Sequence, residues 1–310
     1  MTRAPTNLRQ GGAALILALL IMALAATLAS TLLWKEHTWL RQLETRRDLQ
    51  QARQFAIAGV DWARMVLAED ARSNRYDHLG EPWATKLPPM PAEGGEISGS
   101  ITDEQGKFNL NNLFRNGEAS PADLVIYRNL LHQLDLPDTL TGSLLDWLDS
   151  DDSAGVDGAE DDYYQSLKPP YRSANRPLTD IDNLLQIRGY TPQIVERLRP
   201  YVSALPGYNP TNINTASALV IAAVLHDFPL PEIQQIMADR ERIPYLDAGD
   251  FRKRLTRQEL ATLPSIDRID TRSSHFSVLV RIRYNQADVI IRALLERNAT
   301  WPALLWQKFE

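Results

Sequence analysis

Hydrophobic positions divide this chain into blocks of different period. From Ala13 to Trp34 the residues are almost all apolar, and no charge interrupts them until Lys35. From Leu33 to about Asp70 the apolar residues thin to a helical spacing through Leu40, Leu43, Phe55, Ile57, Val60, Met65 and Leu67. No proline falls between Ala13 and Asp70, so the pattern predicts one long helix, half apolar all round and half amphipathic. Pro82, Pro88, Pro89 and Pro91 then read as breaks in regular structure. Glu96–Leu113 alternates through Ile97, Gly99 and Ile101, turns near Gln105-Gly106 and resumes at Phe108 and Leu110, which predicts a hairpin.

From Ser120 to about Ser274 the period is helical. Starts are expected at Ser120-Pro121, Asp180, Thr191-Pro192, Thr215 and Pro231, with a last helix near Thr256–Thr262. The period then returns to two. HFSVLVRIRY and ADVIIRALLER read as strands joined at Asn285-Gln286. Strands on both sides of a helical block imply one sheet with the block inserted into it. The expected class is α+β: a long N-terminal helix, an antiparallel sheet, and a large α-helical domain between strands.

The apolar run is too long for the core of a cleaved secretory signal, about 7–15 residues, and matches the roughly 20 residues of a membrane span. Arg3 and Arg9 before it predict a cytoplasmic N-terminus, and Trp34 and Trp39 mark the far interface. Gly11 and Gly12 stand before the run, where a cut after Gly12 would leave the whole span on a chain beginning at Ala13.

This arrangement resembles type IV prepilins and the pseudopilins of type II secretion. That pattern carries a Glu at the fifth mature position, which here is Leu17. Together with the stem LLWKEHTWLRQLETRRDLQQARQFAIAGVDWARMVLAED, this departure resembles the K-type minor pseudopilins. The resemblance implies a division into leader 1–12, membrane helix 13–34, a pilin-like body of 35–119 and 275–310, and an insertion 120–274 of helix-hairpin-helix or SAM-like type. It implies processing at Gly12 and Ala13 by a prepilin peptidase and methylation of the new terminus. It further implies an inner-membrane anchor with a periplasmic bulk, and I-, J- and H-type pseudopilins as partners of the stem helix. The tip position it implies would face the outer-membrane secretin or the secreted substrates.

Composition limits the chemistry. There is no cysteine, so disulfides hold nothing together. Net charge is −6 for the chain, and Ser120–Ser274 holds 23 acidic against 15 basic residues. That balance disfavours nucleic acid as a partner, even though LLQIRGYTPQIVERLRPYVSALP (Leu184–Pro206) has a helix–hairpin–helix look around Gly189 and TNINTA echoes such repeats. The five histidines lack metalloprotease spacing, and the chain has no G-x-S-x-G elbow or phosphate-binding glycine loop. No enzyme is expected. A membrane-anchored binding protein, for a ligand or nucleic acid, is the other class; maturation after Gly12 separates the two.

The densest chemistry lies in DWLDSDDSAGVDGAEDDYY. Asp146 to Asp162 contains eight carboxylates and no Lys or Arg. Such a run is a solvated loop unless a cation holds it. Counting from Asp149, the spacing approaches a calcium loop: Asp149, Asp151, Ser153, the Gly155 carbonyl, Asp157 and Glu160 fall at positions one, three, five, seven, nine and twelve. Ala154 stands where that loop has Gly. All-oxygen ligands select a hard cation, calcium before magnesium. The K-type resemblance implies calcium as well, with GAEDDYY as its motif. The expected ligands are Asp149, Asp151, Glu160, Asp161 and Asp157, for one or two ions.

Overall fold

The structure, a computed structural model, describes residues 11–92, 94–257, 260, 263–298 and 300–310. Residues 1–10 of the leader, with Arg3 and Arg9, lie outside the described residues, as do Gln258, Glu259, Ala261 and Thr262 of the last expected helix.

The first helix, α1, runs unbroken over Gly11–Ser73, 63 residues, about 95 Å at 1.5 Å per residue. It is long and apolar enough to cross a membrane over its first part. That part touches nothing else in the molecule. Burial begins at Ala52 and continues on one face through Ala56, Val60, Ala63 and Leu67, spaced at three and four residues as a helical stripe requires. The stripe is rich in alanine, with Gly59 beside it, because the helix lies close on the sheet. A Cβ at Gly59 would stand 2.8 Å from a methyl of Val280. The stem residues expected to meet partners therefore divide. Val60 and Leu67 are spent on the chain's own core, whereas Leu40, Leu43 and Met65 are exposed together with Trp39 and Trp62.

Against this helix lies a five-stranded sheet. In chain order the strands of the molecule are β1 (Leu87–Ala92), β2 (Gly95–Asp103), β3 (Phe108–Asn109), β4 (Phe114–Arg115), β5 (Glu118–Ala119), β6 (Val202–Ser203), β7 (Thr211–Asn212), β8 (Ile269–Asp270), β9 (His275–Tyr284), β10 (Ala287–Glu296) and β11 (Ala303–Phe309). The large sheet has the order β1-β2-β9-β10-β11, antiparallel throughout. β9 and β10 are the two predicted strands, and Asn285 in their turn has φ 50°, a conformation Asn tolerates. Val278, Val280, Ile282, Ile291 and Leu295 face α1 and are buried.

The predicted hairpin at Glu96–Leu113 forms differently. β2 ends at Asp103, Glu104–Gly106 makes a 3-10 turn, and Phe108–Asn109 pairs in parallel with β6 instead of folding back. The hairpin partner of β2 is β1, which lies upstream in the proline-rich segment. Prolines are admitted there because an edge strand need not offer every N–H to a neighbour. β11 gave no alternating signal strong enough to be expected. The insertion accordingly leaves the sheet after Asp103 and returns at His275, so residues 104–119 belong to it and not to the body.

Within the insertion stand α2 (Pro121–Gln133), α3 (Leu140–Leu148), α4 (Asp161–Gln165), α5 (Pro192–Leu198), α6 (Ala218–Val224), α7 (Leu230–Arg242) and α8 (Ala248–Arg254). The caps are those that the sequence offers. The Thr191 hydroxyl accepts from the Ile194 N–H, and the Ser217 hydroxyl from the Val220 N–H, so the helix expected at Thr215 begins at Ala218. Around Gly189, whose φ is +87°, only α5 is an α-helix; Ile181–Gln186 before it is a 3-10 segment. The insertion has its own core around Tyr127, Leu144, Trp147, Tyr164, Ile221 and Phe251.

The two cores meet through a polar neck. Asp103, fully buried at the end of β2, accepts from the Gln105 N–H (2.8 Å), the Asn212 amide (3.0 Å) and the Ser273 hydroxyl (2.7 Å). Burial pushes its carboxyl up to about 6. Two Asn-x-Asn turns lie on the insertion side of this neck. Asn109 accepts from the Asn111 N–H, and Asn212 accepts from the Asn214 N–H. Each turn follows a short strand that pairs in parallel with a much later one, β3 with β6 and β7 with β8. The insertion is thus a pair of similarly closed units.

Candidate metal centre

The acidic run is folded around the end of α3. Asp146 lies in the last turn of that helix and Asp149 is its C-cap. Being three residues apart, they sit on one side of the helix. The chain then loops out through exposed residues and returns buried at Gly158, Ala159 and Glu160, and Glu160 is the N-cap of α4. The loop closes tightly over Asp146, where the Gly155 N–H donates to both carboxylate oxygens (3.3 and 3.1 Å). A Cβ at Gly158 would collide with the same carboxylate, so no larger residue fits there. Aromatic packing anchors the return: Trp147 meets Tyr164 edge-on at 5.3 Å, and Arg188 donates to the Gly158 carbonyl (2.9 Å).

The result is a triad. Asp146, Asp149 and Glu160 each bring a carboxylate oxygen within 4.8 Å of the others. Glu160 is 4% exposed and neither of its oxygens has a hydrogen-bond donor; one buried oxygen of Asp149 is likewise without one. Burial, and then the neighbouring carboxylates, push Asp149 up to about 6 and Glu160 up to about 7. Asp146 is raised by burial too, against the Gly155 hydrogen bond. Buried oxygens without donors are rare, and three carboxylates facing one another without a cation repel. A divalent hard cation satisfies both conditions, so the residues present fit calcium.

Of the expected ligands, Asp149 and Glu160 come together here. Asp151 lies near enough for its charge to raise Asp149 and Glu160, but one of its oxygens accepts from the Ser153 N–H (2.8 Å). Asp157 is exposed at φ 60°. Asp161 faces the other way, accepting from the Ser173 N–H and the Gln165 amide (both 2.9 Å). Asp146 takes the place that the linear spacing gave to those residues. Its signal was present in the helical period of SLLDWLD, which puts it beside Asp149, but a loop count begun at Asp149 passes over it.

A second buried triad, Asp70, Asp77 and Glu81, has the same 4.8 Å closeness. It joins the end of α1 to the segment after it, and no local pattern marks it as a group. Here a cation is built in: the Arg297 guanidinium bonds both Asp70 and Asp77 and also donates to the Ser273 carbonyl (2.8 Å). Glu81 accepts from the Asn74 amide (2.6 Å), the His78 N–H (2.9 Å) and the Trp83 indole (2.7 Å).

Comparison with known proteins identifies this architecture. Residues 106–207 and 211–278 match two family models, both described as type II secretion system protein K. Their division falls between the two units that the Asn-x-Asn turns open. Type II secretion system protein K of Pseudomonas aeruginosa is 33% identical over 93% of this chain and 89% of its own length. The protein of the same description from Aeromonas hydrophila is 32% identical over 88% of each. Among solved structures, the fold matches with a TM-score of 0.76 and 24% identity a chain of the GspK-GspI-GspJ complex from the enterotoxigenic Escherichia coli type 2 secretion system, covering 87% of this chain and 99% of that one. A stem helix on an antiparallel sheet, a two-unit helical insertion, and relatives matched over nearly their whole length lead to one conclusion: the chain belongs to the type II secretion system protein K family, one of the minor pseudopilin families of that system.

Proposed function

We propose that this chain is the first subunit of the pseudopilus, matured after Gly12, and that it starts assembly from the tip. The observation that carries this reading is the insertion. Some 171 residues (104–274) stand off the sheet through a polar neck, and that bulk would collide if the subunit repeated along a filament. At the tip it is free to spread toward the outer-membrane secretin or the secreted substrates. Leu17, at the fifth position of a chain starting at Ala13, has no carboxylate to receive a predecessor's terminal amine. A subunit with no predecessor needs none.

The partners in this reading are the I- and J-type minor pseudopilins, with the H type next. They pack on the exposed part of the stem helix, where Trp39, Leu40, Leu43, Trp62 and Met65 are uncovered. The anchor crosses the inner membrane with its terminus inside, and the body is periplasmic. A prepilin peptidase makes the cut and methylates the new amine. No catalytic role and no nucleic acid enter; the insertion's acidic excess speaks against the latter.

Calcium held by Asp146, Asp149 and Glu160, with Asp151 nearby, stiffens the loop between α3 and α4. Its charge offsets the repulsion among the three carboxylates.

The assembly is tested with the full chain in detergent, co-expressed with the I- and J-type pseudopilins. A stoichiometric complex supports the tip cap. Recovery of this subunit at regular spacing along filaments, in copy numbers like the major pseudopilin, overturns it. Mass determination of the mature terminus tests the cut: it should begin at Ala13, and Gly12→Val should leave the chain unprocessed.

A further inference from the structure

The two edges of the large sheet are made differently. β1 carries Pro88, Pro89 and Pro91, which have no N–H to offer, and proline is one of the devices that keep strands from adding to an edge. β11 has no proline, and β10 is its one neighbour in the sheet. The Glu310 N–H donates to the Ile290 carbonyl (2.9 Å). Peptide groups alternate between the two sides of an antiparallel strand, so Gln307 and Phe309 turn theirs to the open side. Among the described residues no loop or side chain bonds the peptide groups of these two.

Apart from Gln307 and Lys308, the side chains along this edge are apolar, and several are uncovered. Leu304, Leu305 and Phe309 are each about 40% exposed (40, 38 and 39%). Beyond the outer face of β11 lies a cleft of about 400 Å³ between the sheet and the insertion, with Trp306 and Lys308 on one wall and Asp180, Ile181 and Arg199 on the other. Lys308 bonds Asp180 across it. A strand laid along β11 would alternate its side chains between this cleft and the stem-helix side, where Phe309 lies against Arg53.

We propose that β11 is a docking edge and that its occupant is an extended segment of a neighbouring membrane-anchored pseudopilin, added as a sixth strand. This rests on the assembly reading above. A second copy of this chain does not fit. An antiparallel β11–β11 pair has a two-fold axis normal to the sheet, and α1 lies on the sheet face. That rotation would reverse one stem, and both anchors could not enter one membrane from the same side. A partner whose own stem runs parallel to α1 brings its body alongside β11 with both anchors in register.

The test uses the full chain in detergent with co-expressed I- and J-type pseudopilins. Hydrogen exchange of the Gln307 and Phe309 amides should slow at least about tenfold in the complex relative to the chain alone. Gln307→Pro removes an outward N–H that bonds nothing within the chain and should weaken association about tenfold, while Gln307→Ala, which keeps that N–H, should leave it unchanged. Should the proline variant fail to fold, the exchange measurement on the unmodified chain decides. Unchanged exchange at both amides in a complex that forms overturns the docking edge and leaves the assembly standing. No complex with the unmodified chain overturns both. Protection that appears in the chain alone and rises with its concentration identifies a second copy, and also overturns it.

Discussion

Two triads of largely buried carboxylates, each with oxygens within 4.8 Å of one another, are solved in opposite ways. Asp70 and Asp77 pair with Arg297, and Glu81 beside them takes its donors from Asn74, His78 and Trp83. Asp146, Asp149 and Glu160 have the Gly155 N–H on Asp146 and no cationic side chain, and three of their buried oxygens lack donors. The difference follows position. The first triad ties α1 to the sheet, where β10 ends at Glu296 and can deliver Arg297 into the cluster. The second lies in a loop whose seventeen-residue run contains no Lys or Arg at all. A cluster with an internal cation is a structural rivet; one without is where the proposed calcium would act.

Breaking the rivet should have the largest effect. Arg297→Met leaves Asp70 and Asp77 buried and unpaired, and removing one partner from such a pair costs about 3–5 kcal/mol. Urea unfolding should show that loss, and calcium should not restore it. An unchanged midpoint would mean that the three carboxylates are held without their arginine.

The loop triad should respond to metal and not to arginine. If calcium stands at about a hundred times its dissociation constant, it stabilises the folded chain by about 2.7 kcal/mol. Chelator should therefore lower the melting temperature of the native chain by several degrees. Glu160→Gln should abolish this response while melting no lower than the native chain in chelator, because one repelling charge is gone. Identical melting of the native chain with calcium and with chelator would reduce the loop to solvated charge.

A smaller effect concerns pH. In the metal-free chain the folded-state values of Asp149 (about 6) and Glu160 (about 7) lie above the ordinary 3.8 and 4.5. The folded state then binds more protons than the unfolded one between roughly pH 4 and 7, so stability is lost as pH rises through that window. Asp149→Asn with Glu160→Gln should flatten that fall, and calcium should offset it at pH 7. A metal-free chain that gains stability over the same interval would contradict the burial of the triad. The smallest effect belongs to Asp157→Asn. It is exposed, at a left-handed position that Asn accepts, and should change stability by less than about 0.5 kcal/mol and leave the calcium response intact; calorimetry with and without calcium checks both.

How far the sequence could be read depended on whether a signal was local. The stem was legible because a long run without proline and a helical stripe need no distant partner to be recognised. β9 and β10 were legible for the same reason, as alternating strands sharing a short turn. β1 was not, since three prolines read locally as breakers and only the sheet's topology makes them tolerable at an edge. The acidic loop marked itself through its composition as a cluster of carboxylates, and Asp149 and Glu160 do converge. Asp146 replaced Asp157 and Asp161 in the cluster because α3 continues to Leu148, and that helix end directs two carboxylates to one side.

Sequence alone determined the long apolar helix, the alternation of body and insertion, and the abundance of acid without base in one loop. These are properties of neighbouring residues, carried by period and charge along the chain. The tertiary structure alone decided which carboxylates share a site, that Arg297 serves Asp70 and Asp77 from more than two hundred residues away, and that Asp103 meets Asn212 and Ser273 in the neck. Such pairings depend on where a folded chain brings distant segments together. No local period records them, because a buried polar group is satisfied by whichever partner the packing delivers.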